Sequence, residues 1–90
     1  MIHSPVEKIE IALEVLQLPK LISKKNLKDQ YYFLAKKNHP DIGGSSERME
    51  TLNHAYKLLL KYIEEFRYSF DDTEISKQFP GADYVQRFNP

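Results

Sequence analysis

The first helical pattern in the chain lies close to the N-terminus. Its apolar residues recur at steps of three and four, which places them on one face of an α-helix; they are Val6, Ile9, Leu13 and Leu16. Ser4 and Glu7 have the spacing of a capping box around Pro5, which suits the first helical position because its missing N–H needs no partner there. With Pro19 as the stop signal, the pattern predicts a helix over residues 5–17.

A second helical pattern begins at Ser23, which suits an N-cap, and ends before Pro40. One face of this helix holds Leu27, Tyr31, Leu34, Ala35 and Asn38. The lysines of the stretch fall mostly on the opposite, solvent-facing side. The sequence therefore predicts an amphipathic helix with a basic outer face over residues 24–37.

The third pattern is the most regular in the chain. Its apolar positions alternate steps of three and four, as in the seam of a coiled coil, and they are Met49, Leu52, Tyr56, Leu59 and Ile63. Ser45 or Ser46 suits the N-cap, so we predict a helix over residues 46–65. Proline, glycine and serine are dense over residues 38–46, which indicates a loop between the second and third helices.

Together these patterns predict an all-α protein that folds as a small helical bundle. The short loop makes the second and third helices antiparallel neighbours with the loop at their tip, and the first helix packs across this hairpin. About ten large apolar side chains, each contributing roughly 1.5–3 kcal/mol when buried, are enough to hold such a bundle together.

The helical pattern weakens after the third helix. Asp71 or Asp72 suits an N-cap for a short helix over residues 73–79, and a further short segment over residues 82–88 is compatible with the sequence. We therefore divide the chain into a domain over residues 1–66 and a C-terminal extension over the remainder, residues 67–90.

This tail is rich in aromatic residues, namely Phe66, Tyr68, Phe70, Phe79, Tyr84 and Phe88. Because it is too apolar for a plain linker, we expect it to fold back and cover the bundle. In an alternative arrangement, the acidic residues of the tail lie against the lysines of the second helix and partly mask them.

Composition narrows the class of protein. The chain has 90 residues, enough for one small domain, and 41% of them are hydrophobic, which is typical of a folded globule. It has no cysteine, which excludes disulfides and zinc sites with thiolate ligands. The N-terminal stretch lacks the pattern of a signal peptide, and no run approaches the roughly eighteen apolar residues of a membrane span. We therefore expect a soluble cytoplasmic monomer with no membrane contact.

The formal net charge is zero, but the charges are unevenly placed. Residues 20–37, the basic segment, carry six lysines and one aspartate, for a charge of +5. Residues 64–74, the acidic segment, carry five carboxylates and one arginine, for a charge of −4. This division favours a charged docking face for a protein partner, and the neutral total argues against a general nucleic-acid binder.

The loop sequence KKNHPDIGGSS places His39, Pro40 and Asp41 side by side. His39 and Asp41 lie two residues apart on a tight turn with no nucleophile at an obvious geometry, which argues against a catalytic site and an enzyme. No spacing brings them onto one helical face with His54, so a metal site is disfavoured too, and we expect no cofactor. The residues alone leave open a plain turn and a surface offered to a partner.

The context of this tripeptide resembles the J-domain, the module of DnaJ-type co-chaperones, over about residues 11–63. The resemblance rests on the segment ALEVLQLP, on LAKKNHPD with its Gly-rich loop, and on METLNHAYKLLLKYI. The matching positions are Leu16, Gln17, Leu18, Leu27, Tyr31, Leu34, Ala35, His39, Pro40, Asp41, Met49, Leu52, Asn53, Ala55, Tyr56 and Leu59.

The resemblance implies a function. J-domains dock on a DnaK-type ATPase chaperone and accelerate its ATP hydrolysis, so the chemistry belongs to the partner. By the same resemblance Asp41 engages an arginine of the ATPase, Pro40 pre-orients the polar residues beside it, and His39 offers hydrogen bonds at the rim. The implied partner-binding set also includes Lys28, Tyr31, Lys36 and Lys37. The spacing of Tyr31 suits the core as well as the docking face.

The chain departs from the family pattern in its second helix. Tyr32 and Phe33 stand where family members commonly carry two basic residues, and Asp29 adds a negative charge. The basic face is therefore weaker and more aromatic at its centre, which suggests an altered partner preference. The alternative function is a J-like helical module that docks on nucleic acid or on an acidic protein without stimulating an ATPase.

Overall fold

The computed structural model describes residues 3–79, which form four α-helices and one turn of 3-10 helix without a β-strand. The elements are α1 (Pro5–Val15), α2 (Lys24–Asn38), the 3-10 turn (Pro40–Ile42), α3 (Ser46–Glu64) and α4 (Asp72–Gln78). The all-α prediction is confirmed, and the predicted helix bounds differ from these by at most two residues. The predicted segment 82–88 lies outside the described residues. None of the helices in the described range is long and apolar enough to cross a membrane.

The helices begin where side chains satisfy N–H groups that have no partner inside the helix. At α1, Ser4 Oγ accepts the N–H of Glu7 at 3.1 Å and Glu7 Oε1 accepts the N–H of Ser4 at 3.0 Å. This reciprocal pair is the predicted capping box. Ser23 and Asn26 form an equivalent pair at the start of α2, and Ser45 caps α3.

The end of α1 corrects the prediction that this helix reaches residue 17. Gln17 adopts a left-handed backbone conformation with φ of 56°, which stops the helix. The N–H of Gln17 then bonds to the carbonyl of Glu14, and the N–H of Leu18 bonds to the carbonyl of Leu13 at 2.9 Å. These two bonds form a Schellman motif, which satisfies the last carbonyls of the helix.

The core lies where α1 and α2 pack on α3. The buried side chains of this core come from α1, α2, α3 and the residue that follows α1, and they are Ala12, Leu16, Leu27, Leu34, Leu52, Ala55 and Leu59. Burying each of the leucines contributes roughly 1.5–3 kcal/mol. Val6, which the sequence pattern placed on the buried face, is 66% exposed. It lies one turn before Ile9, the first residue of α1 that packs on the core.

Helices α2 and α3 form the predicted antiparallel hairpin. Lys24 in the first turn of α2 forms an ion pair at 3.0 Å with Glu64 at the last position of α3. Tyr31 in the middle of α2 stacks on Tyr56 of α3, with ring centroids 4.1 Å apart and an interplanar angle of 12°. The connection between the helices is therefore at the far end of the pair, where residues 39–45 form what we call the tip loop.

The aromatic residues after α3 do not cover the bundle in the described part of the chain, so this expectation is wrong there. Tyr68, Phe70 and Phe79 are 70%, 81% and 60% exposed. Phe66 packs on its sequence neighbours, with its ring centroid 5.7 Å from that of Tyr62 and 5.5 Å from that of Tyr68. Two of the predicted covering residues lie outside the described range, namely Tyr84 and Phe88.

The alternative arrangement, an acidic segment that masks the lysines, is also not formed between α4 and α2 in the described residues. The N–H of Glu74 donates to the carboxylate of Asp71, which caps α4, and this bond lowers the pKa of Asp71. Glu74 in turn pairs with Lys77 of its own helix at 3.0 Å. Lys24 of the basic segment does pair with Glu64 of the acidic segment, but Glu64 is the last residue of α3, so this pair lies within the α2–α3 hairpin.

Candidate docking site at the tip of the helical hairpin

The tip loop is held by hydrogen bonds that converge on His39. Its carbonyl accepts the N–H groups of Ile42 and Gly44 at 3.1 and 2.9 Å. Its Nδ1 accepts the N–H of Asp41 at 3.1 Å. Pro40, with its fixed φ, occupies the first position of the 3-10 turn, where a missing N–H needs no partner. The His39 side chain thus stabilises the turn on which the neighbouring carboxylate stands.

Two glycines allow the tip loop to turn back towards α3. Gly43 has φ of 90°, a left-handed conformation that costs glycine little. A Cβ atom at Gly44 would lie 2.1 Å from the carbonyl carbon and oxygen of Asn38, so only glycine fits at this position. The sequence predicted both residues as turn formers. It could not predict that Gly44 has a separate role, because this role depends on its contact with the backbone of Asn38, six residues earlier.

The tip loop presents the carboxylate of Asp41 to solvent. Its side chain is 86% exposed, and that of His39 is 53% exposed. The nearest charged or basic partner in the described residues is His39 Nδ1, at 3.6 Å from Asp41 Oδ2. No hydrogen bond from residues 3–79 reaches the carboxylate oxygens, although the N–H of the same residue is bonded. The backbone of Asp41 is therefore fixed while its charge remains available to a partner.

The lysines of the basic segment divide into two groups. Three of them are paired within the chain: Lys20 with Glu10 at 3.5 Å, Lys24 with Glu64 at 3.0 Å and Lys25 with Asp29 at 2.7 Å. The hydrogen bond from Lys25 to Asp29 raises the pKa of the lysine. The other three form no ion pair with any described residue, and they are Lys28, Lys36 and Lys37.

The three lysines without ion pairs in the described residues are the same three that the resemblance assigned to the partner-binding set, and their contact with a partner stays a prediction. Lys36 and Lys37 lie in the last turn of α2, directly before the tip loop, where a positive charge also favours the helix dipole. Lys37 places its Nζ 5.0 Å from the centre of the Phe33 ring. Lys28 is exposed two turns earlier on α2. The unpaired positive charge therefore extends from the tip loop along α2.

Tyr31 lies in the α2–α3 interface, partly accessible to solvent. Its hydroxyl donates to Asn53 Oδ1, and its ring stacks on Tyr56. Burial raises the pKa of the Tyr56 hydroxyl above its ordinary value, and Tyr32 and Tyr31 add to the shift. The structure gives Tyr31 a packing role, and its contact with a partner remains a prediction.

Asn53 is a structural residue that the reasoning from periodicity missed. Its side chain satisfies the Tyr31 hydroxyl inside an otherwise apolar seam. A buried tyrosine usually needs a hydrogen-bond partner for its O–H group. The position of Tyr31 on the buried face of α2 therefore could have indicated a polar residue on α3 opposite it, which is Asn53.

The described residues contain no group of three or more His, Asp or Glu side chains close enough to share a metal ion. His54 lies exposed on α3, where it lines an open groove of about 650 Å³ between α1 and α3 together with His3 and Glu50. The tip loop exposes the polar side chains of His39 and Asp41 beside the apolar side chain of Ile42, a combination that suits contact with a macromolecule.

Comparison with known proteins identifies the family of this arrangement. The DnaJ domain family matches residues 12–71. A chaperone protein dnaJ from Oryza sativa subsp. japonica is 50% identical over 46 residues, which are 51% of this chain and 11% of the relative. A tetratricopeptide repeat and J domain-containing co-chaperone from Cryptococcus neoformans var. grubii is 34% identical over 77 residues, which are 86% of this chain and 14% of the relative.

A DnaJ protein homolog from Atriplex nummularia is 48% identical over 46 residues, which are 51% of this chain and 11% of the relative. The chain thus spans about one eighth of the length of these relatives. No solved structure matches it.

Proposed function

The chain belongs to the DnaJ domain family, and we propose that it is a co-chaperone that docks on a DnaK-type ATPase and stimulates ATP hydrolysis by that partner. The observation that carries the proposal is the exposed carboxylate of Asp41, on a turn fixed by His39 and next to unpaired lysines. The names of the relatives, a chaperone protein dnaJ and a J domain-containing co-chaperone, support the same function.

In this proposal Asp41 accepts a charge-assisted hydrogen bond from an arginine of the ATPase. A guanidinium group offers two parallel N–H donors to a carboxylate, which gives both strength and direction to the contact. Such a bond contributes about 1.5–3 kcal/mol. Because the Asp41 backbone is already held by His39 and Pro40, binding costs little ordering of the tip loop.

The unpaired lysines bring the partner to the tip loop. Lys28, Lys36 and Lys37 attract an acidic patch on the ATPase, which speeds the encounter more than it strengthens the final complex. The three paired lysines contribute less to this attraction because a carboxylate of the chain lies beside each of them. Exposed charges are screened by salt, so the rate of association falls as ionic strength rises.

The chemical step takes place in the partner. The chain contributes a contact that favours the hydrolysis-competent state of the ATPase, and a ligand shifts such an equilibrium only by its differential affinity for the two states. The tip loop holds Asp41 in one position. It therefore binds more tightly to the state of the ATPase in which the arginine of that partner faces Asp41, and this is the difference in affinity that the mechanism requires.

The test is single-turnover ATP hydrolysis by the cognate DnaK-type chaperone, with wild type, Asp41→Asn and His39→Gln. We expect wild type to accelerate hydrolysis and Asp41→Asn to lose most of the acceleration, because a neutral amide replaces the charged acceptor. His39→Gln reduces it as well, because the turn loses the Nδ1 acceptor for the Asp41 N–H.

The same variants distinguish the alternative, a helical module that binds a polyanion. Replacing Asp41 with Asn removes a negative charge, so it leaves polyanion binding unchanged or slightly stronger. A wild-type chain that binds a polyanion tightly but leaves the hydrolysis rate of the chaperone unchanged contradicts the proposed function.

A further inference from the structure

A groove lies on the outer side of α2, next to Lys37. It occupies about 470 Å³ between α2 and the connection from α1. Asn26, Asp29 and Gln30 of α2 form the polar part of its lining. Its apolar lining comes from both sides and comprises Leu18, Pro19, Leu21, Ile22 and Phe33. Leu21 is 92% exposed and Phe33 is 55% exposed. Adjacent exposed apolar side chains around a concave surface are typical of an interaction site.

The charges around this groove are asymmetric. Asp29 is the one acidic residue of the lining, and its carboxylate is paired with Lys25 at 2.7 Å. Lys37 has no ion pair within residues 3–79 and holds its ammonium group 5.0 Å from the centre of the Phe33 ring. The apolar residues of the groove therefore lie next to the single unpaired positive charge of Lys37, an arrangement that fits an apolar side chain followed or preceded by a carboxylate.

One end of the groove, at Phe33, lies near the tip loop. Phe33 and Lys37 are one turn apart on α2, and Lys37 is two residues before His39. Since an α-helix rises about 1.5 Å per residue, Phe33 lies only about 9 Å along the axis from His39. A standard protein interface buries about 800 Å² on each partner, which is large enough to include both the tip loop and the groove.

From these observations we infer that the groove between Leu21 and Phe33 is a second contact for the DnaK-type ATPase and receives an apolar side chain that neighbours a carboxylate on the partner. The inference rests on the proposed function, because it names the partner of the same surface. It assigns the groove a role in affinity, while the Asp41 carboxylate acts on the hydrolysis rate of the bound complex.

The test separates these roles through the concentration dependence of single-turnover hydrolysis. Phe33→Ser and Leu21→Ser are measured against Tyr62→Ser, which removes a comparably exposed aromatic ring (52%) from α3 outside the groove. We expect each groove variant to raise the concentration for half-maximal stimulation by about tenfold, because apolar burial on binding is lost, with the rate at saturation retained. Tyr62→Ser leaves both quantities within about twofold of wild type.

A third variant probes the rim. Lys37→Met removes the charge and keeps an apolar chain over Phe33, so it raises the half-maximal concentration at low salt and reduces its dependence on ionic strength. Circular dichroism of every variant confirms that the helices are intact.

Unchanged half-maximal concentrations for both Phe33→Ser and Leu21→Ser, together with lost stimulation in Asp41→Asn, overturn the groove contact and leave the proposed function standing. A wild-type chain that gives no stimulation at any concentration overturns the proposed function, and the groove contact with it.

Discussion

At the scale of single residues, the tip loop depends on the two glycines for different physical reasons. Gly43 needs a positive φ but has open space around its Cα, with no atom within 4 Å of an added Cβ. Gly44 needs the absence of a Cβ, because the backbone of Asn38 occupies that position. The close approach allows the N–H of Gly44 to donate to the carbonyl of His39 at 2.9 Å, a bond that closes the loop on which Asp41 stands.

This difference predicts that Gly44→Ala is more damaging than Gly43→Ala. Alanine at position 43 costs about 1–2 kcal/mol of conformational strain. At position 44 the added methyl overlaps the backbone of Asn38, so the tip loop must also move and lose its hydrogen bonds. The free energy of unfolding in urea measures both variants. Equal destabilisation by the two substitutions is incompatible with the close contact.

At the scale of elements, the capping interactions set where the helices begin. The N–H of Ser4 donates to the Glu7 carboxylate and lowers the pKa of Glu7, with a further contribution from the Ser4 hydroxyl. A carboxyl whose pKa is lower in the folded state stabilises that state above its unfolded pKa, about 4.3 for glutamate. The contribution is lost as the pH falls through the lowered value.

We therefore predict that the first turn of α1 loosens in acid before the rest of the bundle does. The amide NMR signals of Ser4 and Glu7, followed from about pH 6 to pH 3, report the change. Glu7→Gln is the matched control, because its side-chain carbonyl accepts the same hydrogen bond without titrating. An acid transition at Ser4 that persists in Glu7→Gln argues against the capping carboxylate as its cause.

At the scale of the whole molecule, stability resides in the three-helix core, and the described tail adds little to it. The fully buried side chains come from α1, α2, α3 and the residue that ends α1, whereas Tyr68 and Phe70 are 70% and 81% exposed. Conversion of both aromatic residues to Ser is thus expected to change stability by at most about 0.5 kcal/mol each.

The reference for this prediction is Leu52→Ala, which empties a fully buried position and is expected to cost about 2–5 kcal/mol. Thermal and urea unfolding of the two variants give the comparison. A loss of stability in the Tyr68 and Phe70 double variant that matches Leu52→Ala indicates that the tail packs on the bundle as its composition predicted.

The local features of the fold were readable from the sequence. Helix starts depend on side chains within three residues, as at Ser4 and Ser23, and the three periodic stripes identified most of the residues that pack together. Val6 was predicted to be buried but is exposed, because periodicity identifies the apolar face of a helix and not which of its turns contact another helix. The end of α1 at Gln17 could not be predicted, because glutamine rarely adopts the left-handed conformation that stops the helix there.

The residues of the proposed docking surface could be named from the sequence, but the ion pairs that they form within the chain could not. Charge counting gave the basic segment +5, yet Glu10 and Glu64 neutralise two of its lysines through contacts that are distant in sequence. Which three lysines have no ion pair in the described structure can therefore be seen only from the folded hairpin and not from the sequence. The groove beside Phe33 likewise requires Leu21, which lies in a connection without any periodic pattern.

The fixed presentation of one negative charge is the basis of the functional account. Single-turnover hydrolysis by the cognate chaperone, measured with saturating wild type and saturating Asp41→Asn of equal helicity, tests it most directly. The account predicts that the amide variant loses about nine tenths or more of the acceleration, as expected for a lost charge-assisted bond. Full acceleration by Asp41→Asn contradicts the account.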